Sequence, residues 1–573
     1  MADDVLTKRC RRFLEVADTL WKKEDMETRL KTLSSYYHRG HGADEPDPDI
    51  IHIQEVYPRV TTRVASMHAR RPEVLVKPRR VGFDQAAIVS ELLLNYLTRF
   101  LKWSNELREV LFYACLYPYG VMKLGMEREP RTGFDLPMMR AWKPEHFRCD
   151  PTMDRFRPAE GQWQAFRYRR SLAVLEASGL YDEKGLDQLR ERVGHDEPDW
   201  TPETTEVWVT EHFLFPTPGR RDVQIMVFAD GYNDRPFDSG DTCLIRNEPW
   251  TKVVGLPGRV LAFLPSPMTW HPISPVEMWL PALIERNLFR TLKVRAAQRA
   301  IPKTLADANA LGDEGLSALE TSAVKQIVPV KNPPAGGLDK VTAKMESSEV
   351  SIDVLRGEDD AEMTIQDVDG ASGVQLGRSE PQRGSTSATR DSLIESNFRL
   401  RSAQQQEIWE DFLEDTYQGA LNLAQAHMSG DLWLKTTGTQ ERRLSREEIQ
   451  LDADVVLAFG STQPKDRITE REDARELFAL LVNNPGINQV WLNRYVLQKQ
   501  GDVKDIEGAL QGLPPMPPQM GGLPGAPGPM GMPAPAGPPP PLDAGSMAAM
   551  ATQGTQEGRT PLSMASLFRE MSG

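Results

Sequence analysis

The chain has few cysteines and none in a pair. Cys10, Cys115, Cys149 and Cys243 are the only four, far apart and without a CxxC spacing. Neither a disulfide framework nor a zinc site is therefore signalled, and a reducing compartment suits the chain. Long apolar runs are missing too: none approaches the roughly 18 residues of a membrane span, so no membrane partner is expected. The first residues, MADDVLTKRCRRFLEVADTLW, are charged and amphipathic and lack the apolar stretch and small-residue cleavage site of a signal peptide. Basic charge is the minority, with 68 Lys and Arg against 82 Asp and Glu for a net of -14, so the surface as a whole repels phosphate. Tight duplex binding by a single chain is not expected.

Signature motifs are absent as well. GxxxxGK[ST], HExxH, GxSxG and a dinucleotide-type GxGxxG do not occur, which removes the common phosphate-cradling and metal-hydrolase patterns. His38 and His41 have no carboxylate at ligand spacing and read as a helix end. Asp452 and Asp454 form a lone DxD that reads as a solvated strand edge before VVLAFG. No cofactor, metal or catalytic residue is predicted.

What the chain does have is the composition of a folded protein, 40% hydrophobic and 26% charged, over 573 residues, enough for several modules. Helical periodicity runs from Asp4 to about Tyr37 and from Ile53 to Met67, the second with Arg59 and Arg63 on a polar side. EVLVKP reads as a strand. Asp84 and Ser104 are expected to cap helices over Gln85 to Leu101 and Asn105 to Leu116. VMKLGME and LPMMRAW, parted by PRTG, predict a hairpin, and GQWQAFRYRR a strand leading into a helix over Leu172 to Ala177. TEVWVTEHFLF, DVQIMVFAD and RVLAFLP predict a strand-rich stretch from Glu206 to Leu264.

Ser274-Pro275 then opens a long helix toward Ala300 with the stripe Leu280, Leu283, Ile284, Leu288 and Leu292. Its other side, with Glu285, Arg286, Arg290, Lys293, Arg295 and Arg299, is mostly basic. After a compact interruption over Ile301 to Lys344 comes an acidic stretch with GEDDAE, then a Gly- and Ser-rich segment and a helix over Ala388 to Met428 that far exceeds ordinary length. WLKTTG, VVLAFGS and two helices, Glu470 to Val482 and Val490 to Gln500, close the ordered part. Leu513 to Leu542 is dominated by Pro, Gly and Met, a composition that cannot bury enough side chain to offset ordering entropy and predicts disorder. The class is α+β.

Two charged features are candidates for contact with DNA. Glu358, Asp359 and Asp360 would form a like-charged wall from which phosphates do not stick; the plain alternative is a solvated helix face. Gln375, Arg378, Arg383 and Arg390 lie in or beside the Gly/Ser-rich segment, where arginines could touch phosphates in passing; the plain alternative is a surface loop.

The order of these elements from about Ile50 to Leu510 resembles the portal, or head-to-tail connector, family of tailed bacteriophages. The YPYG helix end with VMKLGM and the HFRCDP turn look like the start of the wing; SPVEMWLPALIERNLFRTLKVRAAQRAIPK, which contains Asn287, looks like the stem helix leading to the clip; GVQLGRSEPQRGSTSATRDSLIESNFRLRS looks like the tunnel loop and long wing helix; and DADVVLAFGSTQPKDR with the helices after it looks like the crown. The resemblance implies a wing over 1–270, a descending stem helix over 271–300, a clip over 301–345, an ascending stem helix over 346–369, a tunnel loop over 370–387, the long wing helix over 388–430, a crown over 431–510 and a tail over 511–573. The Pro/Gly/Met tail departs from the pattern. By the same resemblance the chain is a ring subunit, about twelve to a ring. Its partners are the large terminase and tail or adaptor proteins, docked at a clip with Lys303, Lys325, Lys331 and Lys340, and the major capsid and scaffolding proteins. Double-stranded DNA would pass through the ring without base readout. The location implied is the virion, with the host cytoplasm during assembly. Two other classes remain: a metal-dependent nuclease or phosphotransfer enzyme with scattered carboxylates, and a non-ring scaffold or minor capsid protein.

Overall fold

The structure is a computed structural model, and it describes residues 2–500 apart from 43–48, 197–199, 216–221, 234, 237–242, 251–254, 300–303, most of 307–341, 345–351, 371–387, 430–431, 436–440, 459–461, 463–466, 483 and 485–488. Within it helices and antiparallel sheets are mixed, and every strand pairing is antiparallel. Among the described residues no helix is long and apolar enough to cross a membrane. The segment Leu513 to Leu542 lies outside the described residues.

The expected first helix is two. α1 (Ala2–Lys23) and α2 (Met26–Arg39) are parted at Asp25, whose φ of 49° is left-handed and turns the chain. Glu24, beside it, accepts from the backbone N–H groups of Trp270 and His271 and pairs with the His271 ring at 2.7 Å, which fixes the bend.

α3 (Val56–Met67), β1 (Val74–Pro78), α4 (Asp84–Phe100) and α5 (Trp103–Leu116) follow as the hydrophobic pattern predicts. Their caps do not. Asp84 is the first helical residue rather than the cap, and Ser104 sits inside α5 with its hydroxyl 2.9 Å from Nε2 of His68. With Trp103 buried, α5 starts two residues earlier than expected, after a left-handed Lys102. β2 (Gly120–Arg128) and β3 (Asp135–Trp142) form the expected hairpin, with β10 (Gly258–Leu261) on its outer edge.

β4 (Phe147–Cys149), β5 (Trp163–Ser171), β6 (Glu206–Leu214) and β7 (Gln224–Tyr232) form a meander that β9 (Cys243–Pro249) and the short β8 (Arg235–Pro236) extend. Strand alternation sorts its side chains into two cores. Trp163, Leu214, Met226 and Phe228 meet Cys10, Leu14 and Ala17 of α1 on one face. Val207, Val209, Phe213, Ile225 and Val227 meet α6 (Leu172–Ser178) and α7 (Glu183–Asp196) on the other.

α8 (Leu280–Arg299) leads to β11 (Thr304–Ala306), which pairs with β12 (Thr342–Lys344), and the chain returns through α9 (Ile352–Asp369). Ser274 and Glu277 form a capping box ahead of α8: the Ser274 hydroxyl accepts from Val276 N–H at 3.1 Å, and Glu277 accepts from Ser274 N–H at 2.8 Å. Regular helix starts only at Leu280, a turn later than the cap predicts.

α10 (Ala388–His427) spans 40 residues. Its second half buries Trp409, Leu413, Tyr417, Ala420, Leu421 and Ala424 against α4, the β2–β3 hairpin and the ribbon of β1 with β15 (Ala453–Leu457). Both free edges of that ribbon are covered: Asn95 of α4 exchanges two hydrogen bonds with Val74, while Gln418 and Glu414 of α10 accept from Val455 and Leu457. Covered edges do not recruit further strands. β13 (Leu432–Lys435) with β14 (Glu441–Leu444), then α11 (Arg467–Leu481) and α12 (Gln489–Gln500), complete the described chain.

Candidate functional site

The candidate site is the antiparallel pair α8 and α9. Its inner seam is made of charge. Arg290 Nη1 and Lys293 Nζ of α8 reach the two oxygens of Glu358 on α9 at 3.2 and 3.0 Å, and Arg286 Nη2 reaches Glu362 at 3.0 Å. As the α8 number rises the α9 number falls, which is what antiparallel helices require.

A glycine sets the spacing. A Cβ on Gly357 would stand 2.5 Å from the ring of Phe289, so any other residue there makes that ring or the helices shift.

The seam continues into α3. Glu55 just ahead of α3 is fully buried and accepts from Arg286 Nη1 at 3.1 Å and from Arg59 Nε at 3.1 Å. Arg59 Nη1 then reaches Asp369, the last residue of α9, at 2.7 Å, and Arg63 takes its other oxygen at 2.5 Å. Three arginines and three carboxylates thus alternate across three helices, and a buried pair left half-complete is costly. Asn287 and Thr291 of α8 accept from the backbone N–H groups of Ile53 and Ile51 at 3.0 and 2.9 Å, lashing the segment before α3 along α8. Beneath the cluster, burial pushes the Cys115 thiol up to about 12.

The outer side carries an apolar stripe beside exposed charges such as Glu285 and Arg295. Ile284, Leu288 and Leu292, four residues apart on one side of α8, are 51%, 50% and 39% exposed, while Leu283 and Ala282 are buried. Met363 and Val368 of α9 are also exposed. The sequence places the basic residues opposite the leucine stripe; in the structure Arg286, Arg290 and Lys293 reach carboxylates of α9, Arg295 stays exposed beside Asp49, and part of the leucine stripe turns out. Desolvation alone would choose the reverse; the facing carboxylates of α9 reverse the preference.

Of the residues singled out from sequence, Glu358 lies buried under Arg290 and Lys293, Asp359 is half-buried and Asp360 is exposed. Arg390 stands in the first turn of α10, and its side chain lies outside the described residues, as do Gln375, Arg378 and Arg383. Of the clip lysines, Lys331 is exposed and Lys303, Lys325 and Lys340 fall outside the described residues. Asp452 and Asp454 both bind Arg79, at 2.9 and 2.5 Å, and so hold a strand end. Among the described residues no group of His, Cys, Asp and Glu is arranged to hold a metal ion.

No family model and no curated protein matches this chain.

The residues missed from sequence are Glu55 and Asp369, which complete the cluster. Their signal was weak but present, since Arg59 and Arg63 repeat at i and i+4 on a helix whose other side is apolar. Two charges placed that way need partners from elsewhere.

Proposed function

We propose that the chain is a structural subunit of a homo-oligomeric portal ring of a tailed-phage capsid, acting as a DNA conduit and docking platform without chemical turnover. One observation carries the reading: a helix pair closed by a short ribbon pairs Arg286, Arg290 and Lys293 with Glu362 and Glu358 and leaves the apolar residues Ile284, Leu288 and Leu292 outward. A stripe of that kind asks for an apolar cover, and repetition of the same contact around a closed ring supplies it from identical copies. The order of elements adds support. Helix, ribbon, returning helix and then a 40-residue helix is the order expected of stem, clip, stem and wing helix.

On this reading α8 and α9 are the stem, 301–345 the clip that meets the large terminase and later the tail or adaptor proteins, and residues 1–270 the wing that meets capsid and scaffolding proteins. Double-stranded DNA passes through the centre without base readout. The experiment is direct imaging of the purified chain under assembly conditions. Closed rings with a central hole support the proposal; monomers or amorphous assemblies overturn it.

A further inference from the structure

Away from the paired helices, a cavity of about 760 Å³ opens between the β2–β3 hairpin, β5, β6, α6 and the last turn of α10. Its floor is electrostatically complete. Lys123 of β2 pairs with Glu211 of β6, and the Lys123 ammonium stands 4.8 Å from the ring centre of Trp142 and 5.1 Å from that of Phe166. Tyr168 donates to the other Glu211 oxygen at 2.7 Å and lies 3.1 Å, hydroxyl to hydroxyl, from Tyr181. Burial opposes the Glu211 charge, but the Lys123 ammonium outweighs it and holds that carboxyl below the ordinary range. The floor therefore has no charge to offer a ligand.

The walls are rings and aliphatic chains, with Trp142, Tyr168, Phe213 and Trp250 facing Val174 and Leu180. The rim is where charge is available. Arg140 is held by Glu127 at 2.7 Å and Arg246 by Glu248. Arg170, at the end of β5, makes no ion pair among the described residues; its guanidinium lies 5.9 Å from the Tyr168 ring centre. Arg169 beside it lies 4.3 Å over Trp208 and 3.7 Å from Glu206.

We propose that this cavity binds a nucleoside phosphate, with the base between the aromatic and aliphatic walls and the phosphate on the Arg170 guanidinium at the rim. A flat ring gains most from such walls. An arginine fork at an open rim suits a phosphate. The volume lies within the range of cavities that enclose small-molecule ligands.

The test is equilibrium dialysis of the full chain with labelled deoxyadenosine 5′-monophosphate, and with deoxyadenosine and inorganic phosphate as separate probes. The proposal expects saturable binding of the monophosphate, weaker binding of either fragment, and about tenfold or greater loss in Arg170→Ala. Because Arg170 and Leu180 are both exposed, their variants should fold. Leu180→Trp should close the mouth and remove binding while circular dichroism stays as in the wild type. Absence of saturable binding up to about 1 mM overturns the proposal. So does binding that Leu180→Trp leaves intact, or inorganic phosphate binding as well as the monophosphate.

Discussion

Arg59 of α3 and Asp369 at the end of α9 meet with 2.7 Å between Nη1 and Oδ2, both side chains almost wholly removed from solvent. The pair joins residues 310 apart in sequence and connects the returning helix to the globular part. Arg59 also donates through Nε to Glu55, so one guanidinium serves two carboxylates in different directions.

From that geometry Asp369→Ala should destabilise by about 3–5 kcal/mol, because it leaves Arg59 and Arg63 facing a site without their counter-charge. Arg59→Lys should also destabilise, since an ammonium does not reproduce the fork. Thermal unfolding followed by circular dichroism measures both. A midpoint unchanged in Asp369→Ala would show the pair to be idle.

How much of this was legible beforehand follows from the kind of signal each part carries. Strands β2, β3, β5, β6 and β7 and helices α3, α4, α5 and α10 announce themselves by periodicity, because a half-buried element must repeat its apolar side. Strand β9 was missed: CLIRNEP mixes apolar and charged residues, and it is a strand because β7 offers it an edge. Asp25 and Lys102, with left-handed backbones at non-glycine positions, ended one helix and began another where no glycine marked the place. The site was half legible. The stripe Ile284, Leu288 and Leu292 stood in the sequence, but which side of α8 would face outward depended on Glu358 and Glu362, some seventy residues on.

Gly357→Ala separates packing from helix propensity. In an exposed helix that change stabilises by about 0.4–1 kcal/mol. Here the added methyl meets Phe289, so a loss of about 1–3 kcal/mol is expected instead. A raised unfolding midpoint would mean that α8 and α9 do not pack as described.

Acid should weaken the fold in two windows. Burial, helped by Arg108 and Arg167 respectively, holds His68 at about 4 and His212 at about 3, both below the ordinary 6.5. The unfolded chain takes up these protons as pH falls below 6.5 while the folded chain does not. Stability present above 6.5 is therefore lost progressively toward pH 4 and then 3. Glu24 acts lower. Burial opposes its charge, but hydrogen bonds from His271 and Trp270 outweigh that and hold it at about 2, so its contribution is present above about 4.5 and fades toward 2. Denaturant titrations across this range check the sign, and His68→Gln should flatten the upper window. Stability that rises on acidification from pH 7 to 5 would contradict it.

The thiols should be inert in the folded protein. Cys10, Cys115, Cys149 and Cys243 are all buried, and burial pushes Cys10 and Cys115 up to about 12 and Cys149 well above its ordinary value. A thiol reagent at pH 8 should label none of the four quickly in native protein and all four in denaturant. A single fast native thiol would show that one of these sites opens.

The central claim is that the outward stripe of α8 is covered by another copy of the chain in a closed ring, and particle mass tests it most directly. Mass photometry of the purified chain under assembly conditions should give one dominant species at about twelve times the subunit mass. Ile284→Ser, Leu288→Ser and Leu292→Ser together should leave helix content unchanged and shift the mass to that of the monomer. A wild-type chain that stays monomeric under those conditions, or a triple variant that assembles to the same mass, contradicts the account.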